Sequence, residues 1–234
     1  MNVSGKVVLV SGANRGLGKA FVTALLEAGA GKVYAAARDV SKVNIPGAEA
    51  IELDITDAAS VQAAAQKCSD VEILINNAGF MHTSPLLSEG SVESLRQHFE
   101  INTIGTLLMS RAFAPILRQQ GGGAIVNIVS VLSWLNIPES GAYSASKAAQ
   151  WSLTNGLRNE LVEQKTAVLS VHPGYIDTDM TAGIETPKTS PQEVVKLTLA
   201  ALEEGKKELT IDDAGQWVKS TLSDPEAAYL SPVQ

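Results

Sequence analysis

The sequence predicts an α/β fold: a doubly wound parallel sheet of about seven strands with helices on both faces. Three observations point there. Short β-type runs alternate with helical stretches along the whole chain. Several of those runs are almost continuously apolar, as strands covered on both faces must be. And 234 residues, 45% of them apolar, suffice for one large domain with a proper core.

The strand-like runs are Lys6–Ser11, Lys32–Ala37, Ala48–Leu53, Ile73–Asn76, Ala124–Val129 and Ala167–His172, with Glu208–Ile211 as a last strand. Helical periodicity covers Leu17–Ala28, Ala58–Cys68, Ser91–Leu117 and Ala142–Val162. The longest of these is expected to bend near Gly105. A further helix over Pro191–Glu203 carries its own start signal: Ser190 as N-cap, Pro191 at the first position and Glu193 at the third, a capping-box pattern. Asp212–Leu222 reads as a final helix. Repeated β-α-β units imply right-handed crossovers. No repeat or long linker interrupts them, so residues 1–234 are expected to form one domain.

Composition narrows the function classes. A net charge of −7 leaves no electrostatic footprint for nucleic acid. No apolar run reaches the ~18 residues of a membrane span. The first strand starts almost at Met1 without a signal-peptide layout, so the cytoplasm is the expected location. Cys68 is the only cysteine and sits in an apolar run, where a small buried hydrophobe is the simple reading. No cluster of Cys, His and carboxylates has metal-ligand spacing, so no metal is expected.

The first strand runs into Gly12-Ala13-Asn14-Arg15-Gly16-Leu17-Gly18 and then a helix. Glycines let the backbone turn sharply and approach a pyrophosphate, and the helix N-terminus offers free N–H groups and partial positive charge. Strand, glycine loop and helix make the expected sheet Rossmann-type. The glycine spacing is not that of the general dinucleotide fingerprint.

Four further segments follow in order: Asn76-Asn77-Ala78-Gly79 after the fourth strand, Asn102 within Ile101-Asn102-Thr103, Ser130 ending the fifth strand, and Tyr143-Ser144-Ala145-Ser146-Lys147 opening the next helix. With the glycine loop, this set resembles the short-chain dehydrogenase/reductase family over roughly residues 5–180. The resemblance implies nicotinamide-dependent oxidation or reduction. Tyr143 would be the general acid–base, Lys147 would support the tyrosine and hold the nicotinamide ribose, Ser130 would hold the substrate oxygen, and Asn102 would position a water for proton relay, with hydrogen bonding to backbone within a kinked helix as its other reading. The spacing makes chemical sense. Tyr143 and Lys147, at i and i+4, share a helix face. A phenol with an ordinary pKa near ~10 is a poor base at neutral pH. Bringing it to about 7 takes roughly 4 kcal/mol of preferential phenolate stabilisation, which a nearby ammonium helps supply. Ser133 competes locally with Ser130 for the serine role.

The resemblance extends to cofactor contacts. Gly12, Asn14, Arg15, Gly16, Leu17 and Gly18 would cradle the phosphates. Asp54 and Ile55 would meet the adenine, with an exposed turn as the alternative for Asp54. Asn76, Ala78 and Gly79 would close beside the adenosine ribose and stabilise the central sheet. Pro173, Gly174, Ile176 and Thr178 would meet the nicotinamide. His82 could rim the substrate site, whereas His172 reads as structural.

The cofactor preference is legible at the end of the second strand. NAD-preferring folds carry an acid about 20 residues beyond the glycine loop. Here Arg38 stands there or just beyond, with Asp39 after it, and Arg15 is placed to reach the same 2′-phosphate, so NADP(H) is expected. The substrate would be a small-molecule ketone, aldehyde or secondary alcohol. The rival readings are a ketoacyl-thioester reductase and a non-catalytic NADP(H)-binding regulator. Only Asp179–Ser190 separates the nicotinamide segment from the next helix, which implies an open pocket, one that the C-terminal tail or a partner subunit would cover. Asp212-Asp213-Ala214-Gly215 replaces the family's glycine-rich end. A homodimer or homotetramer is implied, paired through the helices Ser91–Leu117 and Ala142–Val162. Trp151, Leu107 and Leu108 are the apolar candidates for that surface, with core burial as the alternative for each.

Overall fold

The computed structural model describes residues 1–230, and 231–234 lie outside the described residues. Its strands are β1 (Val7–Ser11), β2 (Lys32–Ala37), β3 (Glu49–Glu52), β4 (Ile73–Asn76), β5 (Gly123–Ile128), β6 (Thr166–His172) and β7 (Glu208–Thr210). They form a seven-stranded sheet in the order β3-β2-β1-β4-β5-β6-β7, every pairing parallel. The helices are α1 (Gly16–Glu27), α2 (Ala58–Lys67), α3 (Ser91–His98), α4 (Gly105–Gln119), α5 (Gly141–Glu160), α6 (Pro191–Glu203) and α7 (Asp213–Ser220). Among the described residues no helix is long and apolar enough to cross a membrane.

Alternation along β1 sorts the core into two layers. Val8 and Val10 face α1 and α6, where Phe21, Leu25, Val194 and Leu202 are buried. Leu9 faces α2, α4 and α5, with Val61, Cys68, Phe113, Leu117 and Leu157. Truncating a side chain such as Phe113, which has no exposed surface, costs about 3–5 kcal/mol. This is the doubly wound arrangement that the sequence predicts. Its strand order reverses between β1 and β4, which opens a crevice beyond their C-terminal ends.

Two local expectations change. Ser190 does accept from the Glu193 N–H at 3.2 Å. The reciprocal half of the capping box is absent, because the Glu193 carboxylate turns to Lys196 at 3.3 Å. The helix expected over Ser91–Leu117 is α3, a π-helical stretch at Phe99–Ile104, and α4. The irregularity therefore begins upstream of Gly105. The widened turn centres on Asn102, whose side chain is drawn sideways onto Phe80 and Ser146. Gly105 serves packing instead: a Cβ there would lie 2.7 Å from Ile55 Cδ1.

Candidate active site

The loops that leave β1 through β6 surround one cavity of about 2230 Å³ at the C-terminal edge of the sheet. That is more than twice the usual upper size of about 1,000 Å³ for a small-molecule pocket. It has room for a dinucleotide and a second molecule.

The glycine loop forms one wall. Gly12 has φ +66°, and a Cβ on it would come within 2.9 Å of Ala78 Cα. A Cβ on Gly18 would sit 2.1 Å from the Gly12 carbonyl oxygen. Both positions exclude any side chain, and they press β1, α1 and the β4 loop together. Asn77 closes the joint by donating to the carbonyls of Ser11 at 2.9 Å and Gly12 at 3.2 Å. Among the described residues no side chain caps α1, so its N-terminus is open where Gly16, Leu17 and Gly18 line the cavity. Such an end suits an anion. Backbone without side chains, next to an uncapped helix, fits the pyrophosphate of a dinucleotide.

The rim beside this wall is cationic. Arg15, Arg38 and Lys42 all line the cavity. Arg15 bonds Asp179 at 3.3 Å, an exposed pair worth little in water. Asp39 caps a short 3₁₀ turn, accepting from Ser41, and lies 3.3 Å from Lys42. These contacts hold its carboxyl below the usual carboxylate range, the Ser41 hydroxyl contributing most. The sequence reading missed Lys42. Its only sequence signal is a lysine three residues past Asp39 on the turn that closes β2.

Opposite stand the catalytic candidates. Ser130 ends β5 and starts a 3₁₀ turn, its hydroxyl oxygen accepting from Leu132 N–H at 3.1 Å. Tyr143 and Lys147 lie on one face of α5, with Lys147 Nζ 5.7 Å from the tyrosine ring centre. Lys147 is buried, and Nζ donates to the Ile128 carbonyl at 2.9 Å and to Gln150 Oε1 at 2.8 Å. Burial lowers the Lys147 pKa to about 7. Burial also pushes the Tyr143 phenol up to about 12, with the Ser130 hydroxyl acting in the opposite sense. The phenol expected near neutrality is thus raised in the free chain. The part of the tyrosine surface that stays open to the cavity lets water offset some of that rise.

Of the remaining expected residues, Asn14, Asp54, Ile55, Ala78, Gly79, Pro173, Gly174, Ile176 and Thr178 also line the cavity. Asp54 makes the turn as well, accepting from Thr56 N–H at 2.9 Å, and that bond lowers its pKa. His82 reaches the cavity wall. His172 does not. It is fully buried, stacks on Trp134 at 4.0 Å, and sets Nδ1 3.1 Å from the Ser130 carbonyl oxygen. Ser133 faces His172 at 3.0 Å and not the cavity, which leaves Ser130 as the serine on the wall.

Two expected residues lie behind the cavity. Asn76 is buried in β4 and donates to Asn127 Oδ1 at 2.9 Å, tying β4 to β5; Asn77 takes the cavity position. Asn102 is fully buried. Its Oδ1 accepts from Phe80 N–H at 2.8 Å, and its Nδ2 donates to the Phe80 carbonyl at 2.9 Å and to Ser146 at 3.0 Å. The sequence reading missed His98, buried in α3. It accepts from His82 N–H at Nε2, so its Nδ1 carries the proton bonded to the Ser94 carbonyl at 2.7 Å. Its ring meets Tyr143 edge-on at 6.2 Å.

The open side is partly covered. Trp217 and Val218 of α7 line the cavity, as do residues of the segment after Thr178. Asp212 fixes α7 there: its carboxylate accepts from Gly215 N–H as the helix cap and from Gly174 N–H, both at 2.7 Å. The residue that departs from the glycine-rich pattern therefore anchors the Pro173–Thr178 segment at Gly174.

A family model described as short chain dehydrogenase matches residues 6–189. An uncharacterized oxidoreductase of Staphylococcus aureus is 33% identical over 215 residues, covering 86% of this chain and 92% of its own. A short chain dehydrogenase from Burkholderia cenocepacia, solved in complex with NADP, superposes with a TM-score of 0.92 at 40% identity, over 96% of this chain and 95% of that one. A relative from Burkholderia phymatum in complex with NAD shares the fold, with a TM-score of 0.87 at 24% identity over 100% and 99%.

Proposed function

This chain belongs to the short chain dehydrogenase family, and from that premise we propose that it is an NADP(H)-dependent oxidoreductase interconverting a ketone or aldehyde with the corresponding alcohol. One observation carries the reading: Ser130, Tyr143 and Lys147 line the same cavity as the glycine loop. When bound, the nicotinamide supplies or accepts the hydride.

The chain's residues do the rest. The Ser130 oxygen accepts from Leu132 N–H, and its own O–H can donate to a substrate oxygen. Tyr143 is protonated at neutral pH, the form needed to give its phenolic proton to a carbonyl oxygen during reduction. In the oxidising direction it must lose that proton. The Lys147 ammonium and the positive ring of an oxidised cofactor would then stabilise the phenolate. Gly12, Gly16, Leu17 and Gly18 would hold the pyrophosphate, and Arg15, Arg38 and Lys42 a ribose 2′-phosphate. The NADP-bound relative at 40% identity supports that choice. The Asn102 side chain has its polar atoms committed to Phe80 and Ser146, so we assign it to bracing the cavity wall rather than to holding a relay water. Carbonyl reduction accounts for all three wall residues, whereas a cofactor-binding regulator needs none of the proton chemistry.

Titration of tryptophan fluorescence with NADPH, then turnover on a panel of ketones including ketoacyl thioesters, tests the reading. Tyr143→Phe should lower turnover by at least about a hundredfold, the range of lost general acid catalysis, with NADPH affinity nearly unchanged. Substantial activity in that variant would remove Tyr143 from the mechanism. NADPH binding without turnover on any substrate would favour the regulator.

A further inference from the structure

Tyr143, Lys147 and Gln150 stand at i, i+4 and i+7 on α5, one face of one helix. Gln150 is fully buried. An aliphatic side chain would fill that space without any polar group to satisfy, whereas a buried carboxamide must find partners for its oxygen and its nitrogen. It finds them in a chain of fixed direction. Lys147 Nζ donates to Gln150 Oε1 at 2.8 Å, Gln150 Nε2 donates to Thr106 Oγ1 at 3.0 Å, and the Thr106 hydroxyl donates to the Asn102 carbonyl at 2.9 Å. An ammonium only donates and a carbonyl only accepts, so the two ends fix the orientation of the amide between them.

We propose that Gln150 is a positioning residue for catalysis: it holds the Lys147 ammonium against the Ile128 carbonyl, leaving the third N–H for the cavity. The inference rests on the reading of Tyr143 and Lys147 as the working pair. Ile128 and Gln150 are the neutral acceptors that keep a buried ammonium from shedding its proton. No carboxylate makes a hydrogen bond or ion pair with Lys147 among the described residues. Removing one acceptor reduces the ammonium population, and with it the support for the Tyr143 phenolate. Thr106 sets the amide's orientation and so acts one bond further back.

The test uses the full chain and four variants: Gln150→Leu, Gln150→Met, Thr106→Val and Thr106→Ser. Three quantities are read: the NADPH Kd by fluorescence, the pH profile of kcat for alcohol oxidation, and the melting temperature. Gln150→Leu and Gln150→Met should raise Kd at least about tenfold, as loss of a hydrogen bond to a charged group does. Their rising alkaline limb should move up by about one pH unit, with substrate KM held. Thr106→Val should move the same readouts less far, and Thr106→Ser should restore wild-type values. A lower melting temperature with Kd and pH limb at wild type would make Gln150 a packing residue and overturn the proposal. If the wild type oxidises and reduces nothing, the functional reading fails, and the Kd values alone decide: unchanged affinity in both Gln150 variants refutes positioning. If neither Gln150 variant folds, Thr106→Val against Thr106→Ser decides, and identical behaviour refutes it.

Discussion

Folding penalises the Lys147 ammonium. Its pKa is about 7 in the folded chain because burial penalises the ammonium, against 10.5 for an ordinary lysine. The unfolded chain therefore binds the extra proton between those two values, and stability rises with pH across that window. Lys147→Met should thus raise the melting temperature of the cofactor-free protein. The gain should be fully present near pH 6 and fade towards pH 10. Thermal melts across pH check this, and a variant less stable than wild type at pH 6 would contradict it. The same variant should bind NADPH more weakly, since stability is exchanged here for function. Gly18 is constrained by space alone. Gly18→Ala places a Cβ 2.1 Å from the Gly12 carbonyl oxygen, so unfolding in denaturant should show a loss of about 1–3 kcal/mol or more, and NADPH binding should fall with it. Wild-type stability would mean that the glycine loop yields easily.

The loop after β2 carries our proposal for the cofactor. Asp39 follows Arg38 and, read from sequence, is the one feature that opposes a preference for NADPH. In the structure Asp39 lines the cavity beside Arg38 and Arg15, but its carboxylate is engaged by Ser41 and Lys42. A guanidinium bond to phosphate is worth about 1.5–3 kcal/mol. We expect kcat/KM with NADPH to exceed that with NADH by well over about tenfold. Ala37→Asp with Arg38→Leu should erase or reverse that ratio while turnover persists; equal efficiency in the wild type would exclude a phosphate clamp. What the sequence revealed follows the reach of its signals. Glycines, a tyrosine four residues before a lysine, and arginines at strand ends act locally, and all reach the cavity. Asn76 and Asn102 carry the same kind of signal but sit behind the wall, because their side chains bridge segments far apart in the chain. His98 and Gln150 went unread for the same reason: besides a neighbour on its own helix, each bonds a residue on another segment, His82 and Thr106.

The parallel sheet and the helix layers on both its faces were readable from the alternation of apolar strand-like runs with helical stretches, since burial on both faces leaves little room for polar residues. The π-helical stretch was not, because contacts between distant segments create it. Pairing of copies across α4 and α5 remains our expectation, on altered grounds. Trp151 is turned inward, donating to Glu208 at 3.0 Å and meeting Trp134 edge-on. Leu108 packs on the core. Leu107 stays 41% exposed, with Ile104 beside it at 40%. Light scattering at micromolar concentration should give at least a dimer, and Leu107→Glu with Ile104→Lys should shift it towards monomer; a monomeric wild type would refute the assembly. Cys68 has a consequence of its own. It is the only thiol in the chain, it has no exposed surface, and burial holds its pKa near 12. A thiol-labelling reagent can meet it only when the layer around α2 opens. Labelling speed therefore counts openings, giving the unmutated protein a built-in clock for its rare excursions from the native state.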